Sequence, residues 1–193
     1  MSSRHLLLFF EAACLLAALV NAKKLWSSNF RAFLLLLPIV CLVEWGNYFK
    51  IFTIQKSNNW IFTLVVHPVE LICFTSVYYL FFEHVKIKKR IVLLSGIVAL
   101  FMLADVLFIQ GIIYLNTYSY ILLSCVLVYF AYLYFKQIIY SSDEMHLYKS
   151  AYYWLSLGVL LFFSGEAALF AFFEYFLKTN NFKAFIPTFF NTQ

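Results

Sequence analysis

Charge is what this chain has least of: charged residues make up 12% of it, about half the share of an ordinary soluble domain. A conventional solvated surface is therefore excluded over most of its length. Glycine and proline are scarce as well, at 5 and 3 residues, which excludes a disordered chain and a fibrous repeat. The four cysteines, Cys14, Cys41, Cys73 and Cys125, lack the paired spacing of a zinc site or a redox motif. Each sits in an apolar run, where cysteine acts as a small hydrophobe. Catalytic signatures are missing too: there is no HExxH, no GxSxG and no His/Asp cluster with metal-ligand spacing. No lysine sits inside an apolar run to form a retinal Schiff base. No catalytic residue, metal or cofactor is expected.

What is present is apolar. Hydrophobic residues reach 64% and aromatics 22%, gathered in continuous runs of about 20 residues, the length a helix needs to cross a bilayer core of about 30 Å. A membrane β-barrel would instead show segments of about 10 residues with alternating polarity. The pattern predicts an all-α polytopic transmembrane helix bundle with helices near 5–22, 31–49, 59–83, 91–111, 116–140 and 150–177, one transmembrane domain over 1–193 and no soluble domain.

The breaks have physical causes. Lys23, Lys24 and two serines separate the first two spans, and Lys56, Ser57 and two asparagines the next pair. Lys86, Lys88, Lys89 and Arg90 end the third, Gly111 to Asn116 is an uncharged turn, and Ser141 to Lys149 is the most polar stretch. Val20-Asn21-Ala22 loosely fits a signal-peptidase site, but Glu11 interrupts the preceding run and basic residues follow at once, so a retained helix is expected. From Phe182 to Phe190 the chain becomes apolar again, as an amphipathic cap or the start of a seventh helix.

Basic residues set the orientation. One side of the bundle receives nine of the fourteen, namely Lys23, Lys24, Arg31, Lys86, Lys88, Lys89, Arg90, Lys136 and Lys149; the other receives five, Arg4, Lys50, Lys56, Lys178 and Lys183. The positive-inside rule then puts the N-terminus outside and the Lys86–Arg90 cluster in the cytoplasm, with the protein in the cytoplasmic (inner) membrane. The net charge of +5 reflects these clusters, so nucleic acid is not an expected partner.

Six of the nine acidic residues fall within the spans: Glu11, Glu44, Glu70, Asp105, Glu166 and Glu174. An intramembrane carboxylate costs a few kcal/mol on the most lenient scale and marks a functional candidate by default. In this orientation Glu11 and Glu44 lie toward the outer side and Glu70 near mid-membrane. Asp105 and Glu166 lie in the middle to outer half, with Glu174 at the rim. Glu44 and Asn47 are three apart with Tyr48 four on, so they share a helix face. His67 and Glu70 are likewise three apart, and Pro68 between them frees the carbonyl of Leu64. The competing reading is glue, in which a protonated Glu hydrogen-bonds across helices to Tyr, Ser or Asn.

Leu42-Val43-Glu44-Trp45-Gly46-Asn47-Tyr48, Pro68-Val69-Glu70-Leu71, and Tyr153-Trp154 through Phe162-Phe163-Ser164-Gly165 resemble stretches in a family of uncharacterised small polytopic membrane proteins common in Bacteroidota. The resemblance implies a bundle of about seven helices, of which this chain carries six or a truncated set. The family has acids in the second and third helices, an aromatic-Trp start and a small-Gly pair in the sixth, and many members are encoded near two-component signalling genes. The chain departs from the pattern in stopping short of a full seventh helix and in carrying Glu166 after Ser164-Gly165. The combined expectation is a sensor- or receptor-like bundle that binds a small cationic ligand in an outward-facing acidic pocket of Glu44, Asn47, His67, Glu70, Asp105 and Glu166. The alternatives are a proton- or cation-coupled transporter and an accessory subunit of a membrane complex. The expected partners are the lipid bilayer, the small cationic ligand and a signalling or membrane-complex partner.

Overall fold

The computed structural model describes residues 3–52, 59–112, 116–140 and 149–178. The expected tail over 182–190, the polar stretch over 141–148 and most of the loop between the second and third spans lie outside the described residues. What is described is all α, with no strand among the described residues. Helix α1 covers Ser3–Val20, α2 Ala22–Trp26 and α3 Phe33–Tyr48. Helices α4, Asn59–Phe81, and α5, Val85–Ile109, follow, then α6, Thr117–Tyr140, and α7, Ala151–Lys178.

Four helices, α4 to α7, are long and apolar enough to cross a membrane. The 25 residues of α5 span roughly 37 Å at 1.5 Å per residue. Helices α1 and α3 carry shorter apolar segments, Leu8–Val20 and Phe33–Tyr48. The expected fourth span needs one correction. Its helix begins at Val85 and not near residue 91, so Lys86, Lys88, Lys89 and Arg90 form its first turns and not a loop. Long basic side chains allow this, because their stems lie along apolar surface while their charged heads reach outward.

The chain divides into two compact units, Met1–Asn116 and Thr117–Gln193. In the first, α1 and α3 pack antiparallel. His5 Nε2 and Tyr48 Oη stand 3.1 Å apart at one end, and the Cys41 thiol donates to the Glu11 carbonyl at 3.4 Å further along. Against the other side of α3, Val43 packs with Ile61 and Val66 of α4, and the Cys73 thiol donates to the Ala32 carbonyl at 3.3 Å. Helices α4 and α5 are joined by Thr75 Oγ1 and Ser95 Oγ at 2.7 Å. On α5 the buried residues are Ile91, Ser95, Val98, Met102 and Asp105. They recur every three or four positions, so Asp105 continues the buried stripe of its helix.

Two local features interrupt the regular helices. Phe62–Val66 of α4 and Asp105–Ile109 of α5 are wound as π-helix, with five-residue hydrogen bonds from His67 N–H to the Phe62 carbonyl and from Gln110 N–H to the Asp105 carbonyl. Pro68 stands two residues beyond the end of the first segment, after His67. Its missing N–H is the one that both Leu64, four residues back, and Thr63, five back, would use, so the widened register adds Thr63 to the carbonyl expected to be free.

Helix α3 runs through Pro38 and ends in a Schellman turn. Lys50 N–H bonds the Asn47 carbonyl and Ile51 N–H the Gly46 carbonyl, with Lys50 in the left-handed region at φ 58°, a position usually filled by glycine. The returning chain lays the Phe52 ring on Gly46, where a Cβ would stand 1.9 Å from Phe52 Cε2. Trp60 Nε1 then donates to the Phe52 carbonyl at 2.8 Å, tying this turn to the start of α4.

The second unit is an antiparallel hairpin of α6 and α7. Tyr120, Leu123, Leu127, Phe130 and Tyr134 are buried along α6, and Ser156, Val159 and Phe163 along α7. Both series step by three and four, the spacing of a coiled-coil seam. Tyr134 stacks on Tyr152 with centroids 6.4 Å apart, and at the opposite end Tyr120 meets Phe170 edge-on at 4.7 Å.

Candidate functional site

The acidic residues lie on different helices and belong to both compact units. Glu166 belongs to the second unit. It falls on the α7 seam, three residues beyond Phe163, and accepts a 2.6 Å hydrogen bond from the Tyr120 hydroxyl. Nearby, Ser164 Oγ turns back to the Leu160 carbonyl of its own helix. A half-buried carboxyl with a cross-helix hydroxyl partner is a structural link between helices. The side chain of Glu174 lies outside the described residues.

In the first unit Glu44 lies on the seam between α1 and α3. With Cys41 and Tyr48 it forms the face of α3 turned to α1, opposite Glu11 and His5. Glu11 and Glu44 are close enough for their charges to interact. Oε2 of Glu11 is buried and has no hydrogen-bond partner, and no lysine or arginine occurs from Leu8 to Val20 or from Phe33 to Tyr48. Two carboxyls facing each other, with no lysine or arginine in either stretch, favour a shared proton or a cation between them.

Asn47 is rotated about 60° from Glu44 around the helix, on the side that packs against α4. It is buried at 7% exposure, and neither its Oδ1 nor its Nδ2 has a hydrogen-bond partner. One turn of sequence therefore sends Glu44 and Asn47 into different seams. His67 and Glu70 share the α4 stripe that also carries Thr63, Phe74 and Val77, with His67 buried directly after the π segment. Thr63 Oγ1 donates to Asn116 Oδ1 at 2.9 Å, a buried pair near the end of this unit. Asp105 is fully buried where α5 widens.

Among the described residues no group of three His, Cys, Asp or Glu side chains is placed to hold a metal ion. Cys41 and Cys73 are buried as expected of small hydrophobes, whereas Cys14 and Cys125 are exposed.

Two participants stood outside the pocket expected from sequence. Glu11 was legible as an acid within an apolar run, but its pairing with Glu44 depends on the antiparallel register of α1 and α3. Tyr120 was hidden among the many tyrosines of α6, and only its seam position distinguishes it. The chain matches no known family model, no curated protein and no solved structure.

Proposed function

We propose that this chain is a multi-pass integral protein of the cytoplasmic membrane, N-terminus outside, whose first unit binds a small cation between Glu11 and Glu44 in a sensor-like bundle. The observation that carries the ligand reading is the facing of these two carboxylates across α1 and α3, one oxygen of Glu11 being buried without a partner. A monovalent cation or a small amine fits two carboxylates better than a divalent metal ion, which takes more ligands. His5 and Tyr48, at the end of the same seam, give the site a polar rim.

The membrane reading is supported by what the long helices leave uncovered. Leu100 is 70% exposed, Leu107 69% and Phe108 83% on α5, and Leu161 66% on α7. Apolar area on that scale requires an apolar solvent or a partner. The resemblance to small seven-helix proteins of Bacteroidota belongs to the same proposal, and the signalling genes near many of its members favour sensing.

A second reading, a proton- or cation-coupled transporter, draws on the π segments beside His67 and Asp105. Interrupted helices next to titratable groups are a recurring feature of intramembrane ion pathways.

Titration calorimetry of alkali cations and small amines against the purified protein distinguishes these readings. Saturable binding that Glu11→Gln or Glu44→Gln abolishes, with no uptake into proteoliposomes, supports the sensor; binding together with uptake supports the transporter. Undiminished binding in both variants would remove Glu11 and Glu44 from the site.

A further inference from the structure

At the opposite pole of the first unit from Glu11 and Glu44, the ends of α4 and α5 form a cleft of about 610 Å³ lined by Tyr79, Glu83, Val85, Lys88, Lys89, Val92 and Leu93. Its two ends differ in chemistry. Near the turn between the helices stand Lys88 and Lys89, flanked in sequence by Lys86 and Arg90. Further along α5 the wall is apolar, with Val92 54% and Leu93 64% exposed. Lys88 does not swing freely, because its Nζ sits 4.9 Å from the centre of the Tyr79 ring. A cation over an aromatic face is held in place while its remaining N–H groups stay available to an anion.

We infer that this cleft is a binding site for an anionic glycerophospholipid, its phosphate between Lys88 and Lys89 and an acyl chain along Val92 and Leu93. The inference rests on the membrane reading above, which would place the cleft at the cytoplasmic interface, where anionic headgroups and acyl chains meet at this depth. The volume falls within the range of small-molecule sites, about 300–1,000 Å³. The charges decide the headgroup. Against Glu83, the lining lysines leave a positive excess, enlarged by Lys86 and Arg90, so a net negative lipid is favoured over a zwitterionic one. The apolar wall decides against a soluble anion, which would leave Val92 and Leu93 uncovered.

Native mass spectrometry of the detergent-purified full chain tests this, with phosphatidylglycerol, phosphatidylcholine and inorganic phosphate as the three probes. The expected result is a discrete phosphatidylglycerol adduct that exceeds the phosphatidylcholine adduct. Lys88→Gln/Lys89→Gln should weaken it about fivefold for each lysine removed. Lys23→Gln/Lys24→Gln, which removes two basic residues on the same side but outside the cleft, should leave it unchanged. Val92→Ser/Leu93→Ser should weaken the lipid adduct and leave any inorganic phosphate adduct unaffected. Equal loss in both lysine pairs would reduce the effect to diffuse charge attraction and overturn the site. A phosphate adduct as strong as the lipid one would overturn the lipid assignment. Failure of the membrane reading itself shows separately, as release of the protein from isolated membranes by alkaline carbonate.

Discussion

The hydroxyl of Tyr120 donates to Oε2 of Glu166 at 2.6 Å, joining α6 to α7 at one end of their seam. Removing the donor leaves the carboxyl in the seam without its cross-helix partner. Tyr120→Phe is expected to lower the stability of the detergent-solubilised protein by about 1–2 kcal/mol. Glu166→Gln should cost less, because its amide oxygen still accepts from Tyr120. Melting temperatures of the two variants check this order.

Gly46 and Lys50 are opposite cases at one turn. Gly46→Ala forces a methyl group into the Phe52 ring and should destabilise by about 1–3 kcal/mol, the usual cost of overpacking. Lys50→Gly removes a side chain from a left-handed backbone position and should stabilise by about 1 kcal/mol. Thermal unfolding of both single variants reads the opposite signs.

Between α4 and α5, Thr75 and Ser95 share a 2.7 Å hydrogen bond in which either hydroxyl can donate. Interhelical bonds of this kind average about 0.6 kcal/mol in a membrane. Thr75→Ala and Ser95→Ala should each cost about that much, and the double variant less than the two together. A double-mutant cycle in detergent measures the coupling.

The orientation is tested by cysteine labelling in intact cells, in a background with the exposed Cys14 and Cys125 replaced by alanine. Ser3→Cys should react with an impermeant maleimide from outside. Ser28→Cys and Lys86→Cys should react only after permeabilisation. The reverse pattern would place the N-terminus in the cytoplasm.

The helices were legible in the sequence because bilayer-length apolar runs are visible residue by residue. Ends at Tyr48, Phe81, Tyr140 and Lys178 fall within a few residues of those expected. The start of α5 was not legible, since hydropathy treats Lys86 to Arg90 as a break although a helix carries them readily at its end. The π segments were hidden for a different reason: a register change leaves composition unaltered, and only Pro68 hinted at one of them. For the site, sequence located the costly carboxylates but not their partners. Periodicity places Glu44 and Asn47 on neighbouring helical positions, while the packing of α3 between α1 and α4 decides that they enter separate seams. Likewise, the pairing of Glu166 with Tyr120 depends on the stagger of α6 against α7, which hydropathy does not encode.

The central claim is that Glu11 and Glu44 together hold a small cation, and a thermal-unfolding scan of the purified protein against alkali cations, divalent cations and small amines tests it most directly. The account predicts a saturable rise in melting temperature with at least one monovalent cation or amine, equivalent to about 2.7 kcal/mol at a hundredfold excess over the dissociation constant. Glu11→Gln and Glu44→Gln should each abolish the rise, and Glu166→Gln should retain it. A flat response to every additive, or a rise that survives in both variants of the α1–α3 seam, would contradict the account and make these carboxylates structural.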